Sequence, residues 1–407
     1  MPVVLLLESI NTYAATWFAD HGWEVHEYPG ALNEEELLKE YQNRPFEFIG
    51  IRSKTKLPAH VLKKLPKLIG VGCFCIGTDQ VDITAATNQG IVIFNSPFTS
   101  SRSVAELVLG YIISLSRRLM FHNTSVHGGL WSKTATDSHE IKGQTLGIVG
   151  YGHIGTQLSV LAEALGMHVI FYDILAKMPL GSARACNTLE ELLTKADIVT
   201  LHVPRTAETV GMIGRDQLAC MKRSAVLINA SRGSVVDLDA LAIALKSKCL
   251  GGAAIDVYPI EPSGNGSFEA VLQNLDSVIL TPHIGGATEE AQYRIAVDVS
   301  DKLLTYYQHG CTRSSVNFPI IDPRVLEDNP KIMHIHYNKP GVIGTVTRIL
   351  GDHNYNICGQ LLGTNDHIGY AIIGVTVLPE QGVIDKLLKV ANTISVRVIL
   401  RGCAQLS

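Results

Sequence analysis

The chain has 407 residues, of which 46% are hydrophobic and 18% are charged, and its formal net charge is −4. This length exceeds that of a single typical core, so we expect a globular protein of two or three domains. No block of Lys and Arg reaches five residues and no apolar run reaches about 18, which argues against a nucleic-acid partner, a membrane-surface role and a membrane span.

The cysteines give a weaker indication. The eight Cys are scattered without a CxxC pair, and only Cys73 and Cys75 lie close together, in the apolar run "VGCFCIG". Such cysteines are typical of small buried side chains rather than disulfides or metal ligands. A reducing compartment is therefore favoured, and we expect a cytoplasmic protein with no metal site.

The first hundred residues alternate short apolar strands with helical patterns. Candidate buried strands cover residues 3–8, 47–52 and 68–73, and Gly, Pro or polar turns follow each one. This repeat predicts a small, doubly wound βα unit. A long helical pattern begins near residue 100 and ends near "HGGLW".

A second βα series follows, with helical stripes between its strands. Ile154, Leu158, Leu161 and Leu165 recur at the spacing of one helix face. Six strands joined by helical crossovers is the number typical of a dinucleotide-binding sheet. The predicted strands are 145–150, 168–173, 197–204, 225–231, 252–258 and 277–283.

A long helical pattern after His283 leads into a Pro-containing segment, 317–330, which we interpret as a linker. The remaining residues predict the order βαββαβ, which is the ferredoxin-like arrangement. The stretch "HYNKPGVIG" at 336–344 lies between its first strand and first helix.

The segment "GIVGYGHIG" contains Gly150, Gly152 and Gly155 as G-x-G-x-x-G, between an apolar strand and an amphipathic helix. That context indicates a dinucleotide site with the pyrophosphate at the helix N-terminus. Asp173 ends the next strand, 18 residues after Gly155. Its carboxylate suits the ribose hydroxyls and would repel a 2′-phosphate, which favours NAD over NADP. The alternative is that Asp173 only caps a helix.

Three polar residues follow three successive strands of the same predicted sheet: Arg232, Glu261 and His283. Ligands bind at the carboxyl ends of such strands, so the three side chains are expected to face one crevice. His283 could take a hydroxyl proton, Glu261 could orient the imidazole and raise its pKa, and Arg232 could bind a carboxylate. Each alone could instead be a cap, a surface charge or a structural ion pair.

The motifs "LGIVGYGHIGTQL", "LINASRGSVVD", "GAAIDVYPIEP" and "LTPHIGGATEEAQ" resemble those of the D-isomer-specific 2-hydroxyacid dehydrogenases. The resemblance runs almost end to end and is specific to members that oxidise D-3-phosphoglycerate to 3-phosphohydroxypyruvate with NAD, the first step of L-serine biosynthesis. It implies an α/β fold in which a doubly wound Rossmann cofactor domain is inserted in a smaller flavodoxin-like substrate domain, followed by a ferredoxin-like ACT domain. The implied domains are residues 1–99 with 287–325, residues 100–286, and residues 330–407.

The resemblance also implies the site residues. Arg232, Glu261 and His283 would be catalytic, with His283 as the acid/base, and domain closure about hinges near residues 99 and 287 would exclude water. Ser100 departs from the Asn that the bacterial members have before "RSVAEL". NAD contacts are implied for Gly150, Gly152, His153, Ile154, Gly155, Asp173, Ala230, Ser231, Arg232, Asp256, His283, Ile284, Gly285 and Gly286, and substrate contacts for Arg52, Ser53, Lys133 and Gln292.

ACT domains bind amino acids, and in this family branch the implied effector is L-serine, which inhibits the enzyme by feedback. The implied serine contacts are His336, Asn338 and Asn356. The alternative for Asn338 is an ordinary helix N-cap. Paired ACT domains together with a contact between cofactor domains would make a homotetramer.

Two other functions stay open. A glyoxylate, hydroxypyruvate or D-lactate dehydrogenase would need the same three catalytic residues without phosphate-binding cations, and reduction of 2-oxoglutarate to 2-hydroxyglutarate could be a side activity. A corepressor-like protein that senses NADH would keep the fold without the metabolic role, although an ACT domain argues against it.

Overall fold

The computed structural model describes residues 1–262, 266–323, 326 and 329–400. The chain forms two compact units, one made of Met1–Pro97 with Gln292–Ser407 and the other of Phe98–Ala291. We call them the first unit and the second unit. Within the predicted linker, residues 324, 325, 327 and 328 lie outside the described residues, as do residues 401–407 of the predicted ACT domain.

The first unit contains a five-stranded parallel sheet in the order β2-β1-β3-β4-β5. This 2-1-3-4-5 order is the flavodoxin-like one that was predicted. Two of the five strands were not predicted: the edge strand β2, "EVHEY", which is too exposed to show an apolar run, and β5, "VIFN", although three of its four residues are buried. The elements are β1 (Val3–Leu7), α1 (Thr12–Asp20), β2 (Glu24–Tyr28), α2 (Glu34–Asn43), β3 (Phe48–Ile51), α3 (Ala59–Leu62), β4 (Gly70–Cys73), α4 (Ile83–Asn88) and β5 (Val92–Asn95).

The second unit opens with two helices, α5 (Ser101–Ser116) and α6 (Leu119–His127), and continues as a seven-stranded parallel sheet. The sheet order is β12-β11-β10-β9-β6-β7-β8, so the chain reverses direction of winding at β6. The seventh strand, β8, has two residues and is too short to carry a pattern. The elements are β6 (Thr145–Val149), α7 (His153–Ala164), β7 (His168–Tyr172), β8 (Arg184–Ala185), α8 (Leu189–Lys195), β9 (Ile198–Leu201), α9 (Arg215–Cys220), β10 (Val226–Asn229), α10 (Leu238–Lys246), β11 (Gly252–Ile255) and β12 (Val278–Leu280).

Local chemistry determines where several helices begin. Asn33 and Glu36 form a reciprocal capping box before α2, in which each side chain accepts the other's backbone N–H. Thr188 and Asp237 accept backbone N–H groups at the starts of α8 and α10. These caps replace hydrogen bonds that the first turn of a helix cannot make internally.

The long helix α11 (Glu289–His309) packs on the parallel sheet of the first unit. Gly72 of β4 has no side chain, and a Cβ there would lie 2.8 Å from both Val299 and Leu303 of this helix. The close approach of helix and strand therefore depends on glycine at this position.

The C-terminal part of the first unit is the predicted βαββαβ arrangement. It contains β13 (Lys331–Tyr337), α12 (Val342–Asp352), β14 (Ile357–Thr364), β15 (Ile368–Val375), α13 (Gln381–Leu388) and β16 (Thr393–Ile399). The antiparallel order β14-β15-β13-β16 is that of a ferredoxin-like fold. All three parts of the predicted fold class, the doubly wound cofactor sheet, the flavodoxin-like sheet and the ferredoxin-like C-terminal part, are thus confirmed.

The two faces of this antiparallel sheet belong to different cores. One face, including Ile332 and Ile373, packs with α12 and α13. The other face, including Met333, Ile335 and Tyr370, shares a core with Phe48, Leu303 and other residues of the parallel-sheet part. The strands β13 and β15 are buried on both faces because each face has a layer packed against it.

Among the residues that the structure describes, none forms a helix both long and apolar enough to cross a lipid bilayer.

Candidate functional site

The glycine turn after β6 forms the base of the candidate cofactor site. Gly150 has φ +92°, and a Cβ there would collide with the carbonyl oxygen of His202. A Cβ on Gly155 would collide with the carbonyl oxygen of Gly150, whereas nothing lies within 4 Å of that position on Gly152. The turn is therefore closed on its inner side and open at Gly152, where α7 begins. This geometry allows a pyrophosphate to approach the helix N-terminus.

Asp173 follows β7 directly and lies beside the glycine turn. Its Oδ2 accepts the backbone N–H of Tyr151 at 2.9 Å, and its Oδ1 accepts that of Leu175 at 2.9 Å. No helix begins here among the described residues, since the next one is α8 at Leu189, and so Asp173 does not cap a helix. The carboxylate is held at the carboxyl end of β7, where it suits the ribose hydroxyls of NAD.

Other residues predicted to contact NAD lie at the same ends of neighbouring strands. The His153 ring lies against Phe98, with ring centroids 3.9 Å apart. Ala230 and Ser231 follow β10, and the Ser231 hydroxyl donates to Asn229 Oδ1 at 2.8 Å. The turn, the carboxylate and these strand ends fit a dinucleotide, although their roles as contacts stay predictions.

His283 and Glu261 form a hydrogen-bonded pair, with 2.8 Å between His283 Nδ1 and Glu261 Oε2. Both side chains are partly exposed, at 42% and 33% respectively. Burial raises the pKa of Glu261, but the hydrogen bond and charge of His283 outweigh it and lower the pKa overall. The charge of Arg232 acts in the same direction, so all three predicted catalytic groups lie in one region of the second unit.

Arg232 reaches this region through a close approach of two chain segments. A Cβ on Gly233 would collide with the backbone of Tyr258, so only glycine allows the segment after β10 to pass there. The Tyr258 N–H donates to Glu261 Oε1 at 3.1 Å, which orients the carboxylate. The Arg232 Nη1 donates to the carbonyl oxygen of Ser231 at 2.8 Å.

Asp256 is fully buried and organises the turn that carries His283. Its carboxylate accepts the backbone N–H groups of Ile284 and Gly285, each at 2.8 Å, and the hydroxyl of Thr281 at 2.6 Å. Burial raises the pKa of Asp256, opposed by these hydrogen bonds. Asp256 thus supports the histidine turn in addition to its predicted NAD contact.

Sequence reasoning missed two members of this network. The Thr281 hydroxyl bonds Asp256, and the Tyr111 hydroxyl of α5 lies 2.5 Å from Thr281 Oγ1. Tyr111 is 170 positions away from Thr281, so no local pattern could indicate the pairing. Thr281 lies two residues before His283 in "LTPH", which was a usable but unspecific signal.

The predicted substrate residues are distributed over both units. Arg52 and Ser53 follow β3 in the first unit, and Gln292 lies in α11. Lys133 is exposed, in the irregular segment after α6 in the second unit. Nothing in their own contacts assigns them a substrate.

The predicted serine residues do not all lie together within one chain. His336 is buried on β13 with its Nδ1 3.2 Å from that of His334, and Asn338 Nδ2 donates to the carbonyl oxygen of Asn365 at 2.8 Å. Asn356, however, precedes β14 at the opposite end of the sheet, because its carbonyl accepts from Thr376. The strand register puts about 25 Å between the two ends.

Comparison with known proteins agrees with this architecture. Residues 109–285 match the NAD-binding domain of the D-isomer-specific 2-hydroxyacid dehydrogenases, and residues 332–395 match an ACT domain like that of the AHAS small subunit. A glyoxylate reductase structure from Paecilomyes thermophila superimposes with a TM-score of 0.69 at 27% identity, covering 77% of this chain and 98% of that one.

Curated relatives match over nearly the whole length. The chain is 47% identical to the D-3-phosphoglycerate dehydrogenase of Haemophilus influenzae, over 97% of this chain and 96% of that protein. It is 45% identical to the Dictyostelium discoideum enzyme of the same name, over 97% of both chains. The chain therefore belongs to the D-3-phosphoglycerate dehydrogenases, within the D-isomer-specific 2-hydroxyacid dehydrogenase family, and is an NAD-dependent oxidoreductase with a C-terminal ACT domain.

Proposed function

We propose that this protein oxidises D-3-phosphoglycerate to 3-phosphohydroxypyruvate with NAD, the first step of L-serine biosynthesis. The observation that carries the proposal is the His283–Glu261 pair near Arg232, in a chain whose near-full-length relatives have this activity in their names. The three side chains supply a base, a partner that orients it and a cation for a carboxylate.

The chemistry follows from these groups. His283 Nε2 takes the proton of the substrate's 2-hydroxyl, while Glu261 accepts the Nδ1–H and stabilises the imidazolium that forms. Arg232 binds the substrate carboxylate with its planar guanidinium and so orients the reacting carbon. NAD would be held by the glycine turn and Asp173, and it would supply the hydride acceptor for that carbon. Asp256 fixes the backbone of the histidine turn during these steps.

For the substrate phosphate, we propose Arg52, Ser53, Lys133 and Gln292, as the family resemblance implies. A phosphorylated substrate needs cations beyond Arg232, and Arg52 supplies one next to a strand end, where parallel sheets bind ligands. The second anionic group of 2-oxoglutarate could use Arg52 too, which is the basis for the proposed side activity.

We propose that L-serine binds the ACT domain at His336, Asn338 and Asn356 and inhibits the enzyme. Because Asn356 lies at the opposite end of the sheet from the other two, a site containing all three needs two copies of the chain. Among the described residues, β14 and β16 are the edge strands of this sheet, and edge strands offer backbone groups for such pairing. Paired ACT domains and a contact between cofactor domains would give a cytoplasmic homotetramer.

The test is NADH consumption with 3-phosphohydroxypyruvate, with and without millimolar L-serine. Fast turnover that serine suppresses would support the substrate and the effector together. Turnover that serine leaves unchanged would support the proposed dehydrogenase activity and contradict serine as its effector. Turnover only with glyoxylate or hydroxypyruvate would contradict 3-phosphohydroxypyruvate as the substrate and would support the second candidate function.

Reduction of glyoxylate or hydroxypyruvate is the second candidate, favoured by the structural similarity to a glyoxylate reductase. D-lactate dehydrogenation belongs to the same class. A corepressor-like NADH sensor is less well supported, since it needs no effector-binding ACT domain.

A further inference from the structure

We propose that Glu8 is a positioning residue that fixes the anion-binding loop, defined as Arg52–Lys56. This inference rests on the proposed function, because it takes this loop as the part of the first unit that receives an anionic substrate. Glu8 itself touches no substrate and acts through the backbone of the loop.

The Glu8 carboxylate lies beneath the loop and is buried, with 7% of the residue exposed. Its Oε1 accepts the backbone N–H of Thr55 at 2.7 Å, and its Oε2 accepts that of Lys54 at 3.0 Å. The two residues are 46 and 47 positions away from Glu8, so this is a tertiary contact between the ends of β1 and β3. Hydrogen bonds to a carboxylate are stronger than those between neutral groups, so the two bonds hold the loop backbone firmly.

The turn that carries Glu8 has an unusual backbone. Glu8 and the following Ser9 have φ values of 64° and 50°, in the left-handed region that residues other than glycine seldom adopt. The Glu8 N–H donates to the carbonyl oxygen of Gly30 at 2.9 Å, and the Ser9 hydroxyl donates to that of Pro29 at 2.9 Å. Surrounding contacts thus maintain a strained turn, which is more often found at functional sites than elsewhere.

A second buried side chain holds the other end of the same loop. Gln80 is 5% exposed, and its Nε2 donates to the carbonyl oxygen of Arg52 at 2.5 Å and to that of Gly77 at 3.3 Å. The loop backbone is therefore fixed on both sides of Ser53. Among the residues described, no polar partner is found for the Arg52 guanidinium, which stays available for an anion.

A fixed backbone with an available side chain is a preorganised anion site. Without the two anchors, the substrate would have to order the loop on binding, and affinity would fall. Loss of Glu8 should therefore act on the KM of the anionic substrate, whereas loss of a purely structural contact should act on stability alone.

The chain contains a matched control in Glu47. The Glu47 Oε2 also accepts a backbone N–H, that of Val3 at 2.8 Å, but at the opposite, amino end of the same parallel sheet. Both Glu8→Gln and Glu47→Gln keep side-chain volume and remove one carboxylate that accepts from the backbone. Only the first of these contacts supports the loop.

The experiment compares the two variants with the unaltered chain in steady-state NADH oxidation. For Glu8→Gln we expect the KM for 3-phosphohydroxypyruvate to rise about tenfold, with the KM for NADH unchanged. For Glu47→Gln we expect both KM values to stay as they are. The decrease in Tm should be comparable in the two variants. Equal effects of the two variants on the substrate KM, or no effect of Glu8→Gln, would overturn the inference.

Two additions keep the test decisive. If Glu8→Gln does not fold, Gln80→Met removes the other anchor and should raise the same KM; an unchanged KM would then overturn the inference. If the unaltered chain does not use 3-phosphohydroxypyruvate, the proposed function fails. The same comparison with 2-oxoglutarate then decides separately on Glu8, because its second anionic group is the one assigned to Arg52.

Discussion

At the scale of single residues, the candidate active site combines a strained backbone with a buried carboxylate. His283 has φ 55°, and its N–H donates to the Asp256 carbonyl oxygen at 2.8 Å. Asp256 also accepts the next two N–H groups of the turn through its side chain. The strain at His283 is thus maintained by contacts on both sides, and the imidazole is placed against Glu261.

The first prediction concerns His283. His283→Gln removes the proton acceptor but keeps a side chain of similar size, so kcat should fall by about 10²–10⁴-fold. The KM for NADH should change little, because the Asp256 carboxylate holds the turn through the backbone N–H groups of Ile284 and Gly285, which the substitution leaves in place. Steady-state kinetics measure both values. A kcat within threefold of the original value would contradict the role of His283 as the proton acceptor. The variant His202→Gln is not a suitable control, because His202 adjoins the glycine turn.

The second prediction concerns cofactor choice. Asp173→Asn keeps an oxygen that can accept the Tyr151 N–H but removes the negative charge. We expect the KM for NADH to rise about tenfold and the ratio of kcat/KM for NADPH over NADH to increase, because a 2′-phosphate is no longer repelled. Asp197→Asn is a control, since that carboxylate accepts the Thr145 N–H at the opposite end of the sheet. An unchanged ratio in Asp173→Asn would rule out the charge as the discriminator.

At the scale of elements, β13 shows how one strand can serve two cores. Met333 and Ile335 face the parallel-sheet part of the first unit, while the alternate positions face α12 and α13. Two of those alternate positions are histidines, His334 and His336, which are 0% and 2% exposed. Burial lowers the pKa of His334 to about 4, and the charge of His336 acts in the same direction with a smaller effect.

The third prediction is a pH dependence of stability. The unfolded imidazole of His334 binds a proton below its ordinary pKa of 6.5, whereas the folded one does so only near 4. The unfolded state therefore binds more protons between these values, so stability is complete above pH 6.5 and falls toward pH 4. The loss is on the order of 3 kcal/mol, and burial lowers the pKa of His336 too, which adds to it.

Urea unfolding at pH 7 and pH 4.5 measures this loss. His334→Gln should reduce the difference between the two pH values, whereas His367→Asn, at an exposed position beyond β14, should leave it as it is. Equal pH dependence in His334→Gln and the unaltered chain would show that other groups cause it.

At the scale of the whole molecule, the ACT part and the parallel-sheet part of the first unit share one core. The Tyr370 hydroxyl donates to the Gly310 carbonyl oxygen at 2.7 Å, and the Tyr370 ring lies against Phe318. On β16, the Arg397 guanidinium lies over the Tyr306 ring and donates to the Tyr306 carbonyl oxygen at 2.9 Å. Because of these contacts, we expect the two parts to fold cooperatively.

The fourth prediction tests that cooperativity. Tyr370→Phe leaves the buried Gly310 carbonyl without its hydroxyl donor and should lower the free energy of unfolding by about 1–3 kcal/mol. Trp17 and Trp23 lie in the parallel-sheet part, so their fluorescence should report the shift although the change is in β15. Tyr355→Phe, whose hydroxyl bonds Glu380 inside the ACT part, is the control. A tryptophan transition unmoved by Tyr370→Phe would show that the parts unfold independently.

The fold class, the cofactor motif and the order of the strand ends that carry Arg232, Glu261 and His283 could all be predicted from the amino-acid sequence. Each depends on local patterns: apolar runs of strand length, glycines at fixed spacing, and polar residues three to six positions after strands. The carboxyl ends of parallel strands meet at one edge, so a linear pattern was enough to predict that the three side chains come together.

The distant groups that support those side chains could not be predicted in this way and are known from the three-dimensional fold. The contacts of Glu8 with Thr55, of Tyr111 with Thr281 and of Tyr370 with Gly310 each join residues more than 40 positions apart. The register of the ACT sheet likewise decided that Asn356 lies far from His336 within one chain. Contacts of this kind arise from the packing of one element on another, and packing is set by the shape of the whole core rather than by any local pattern.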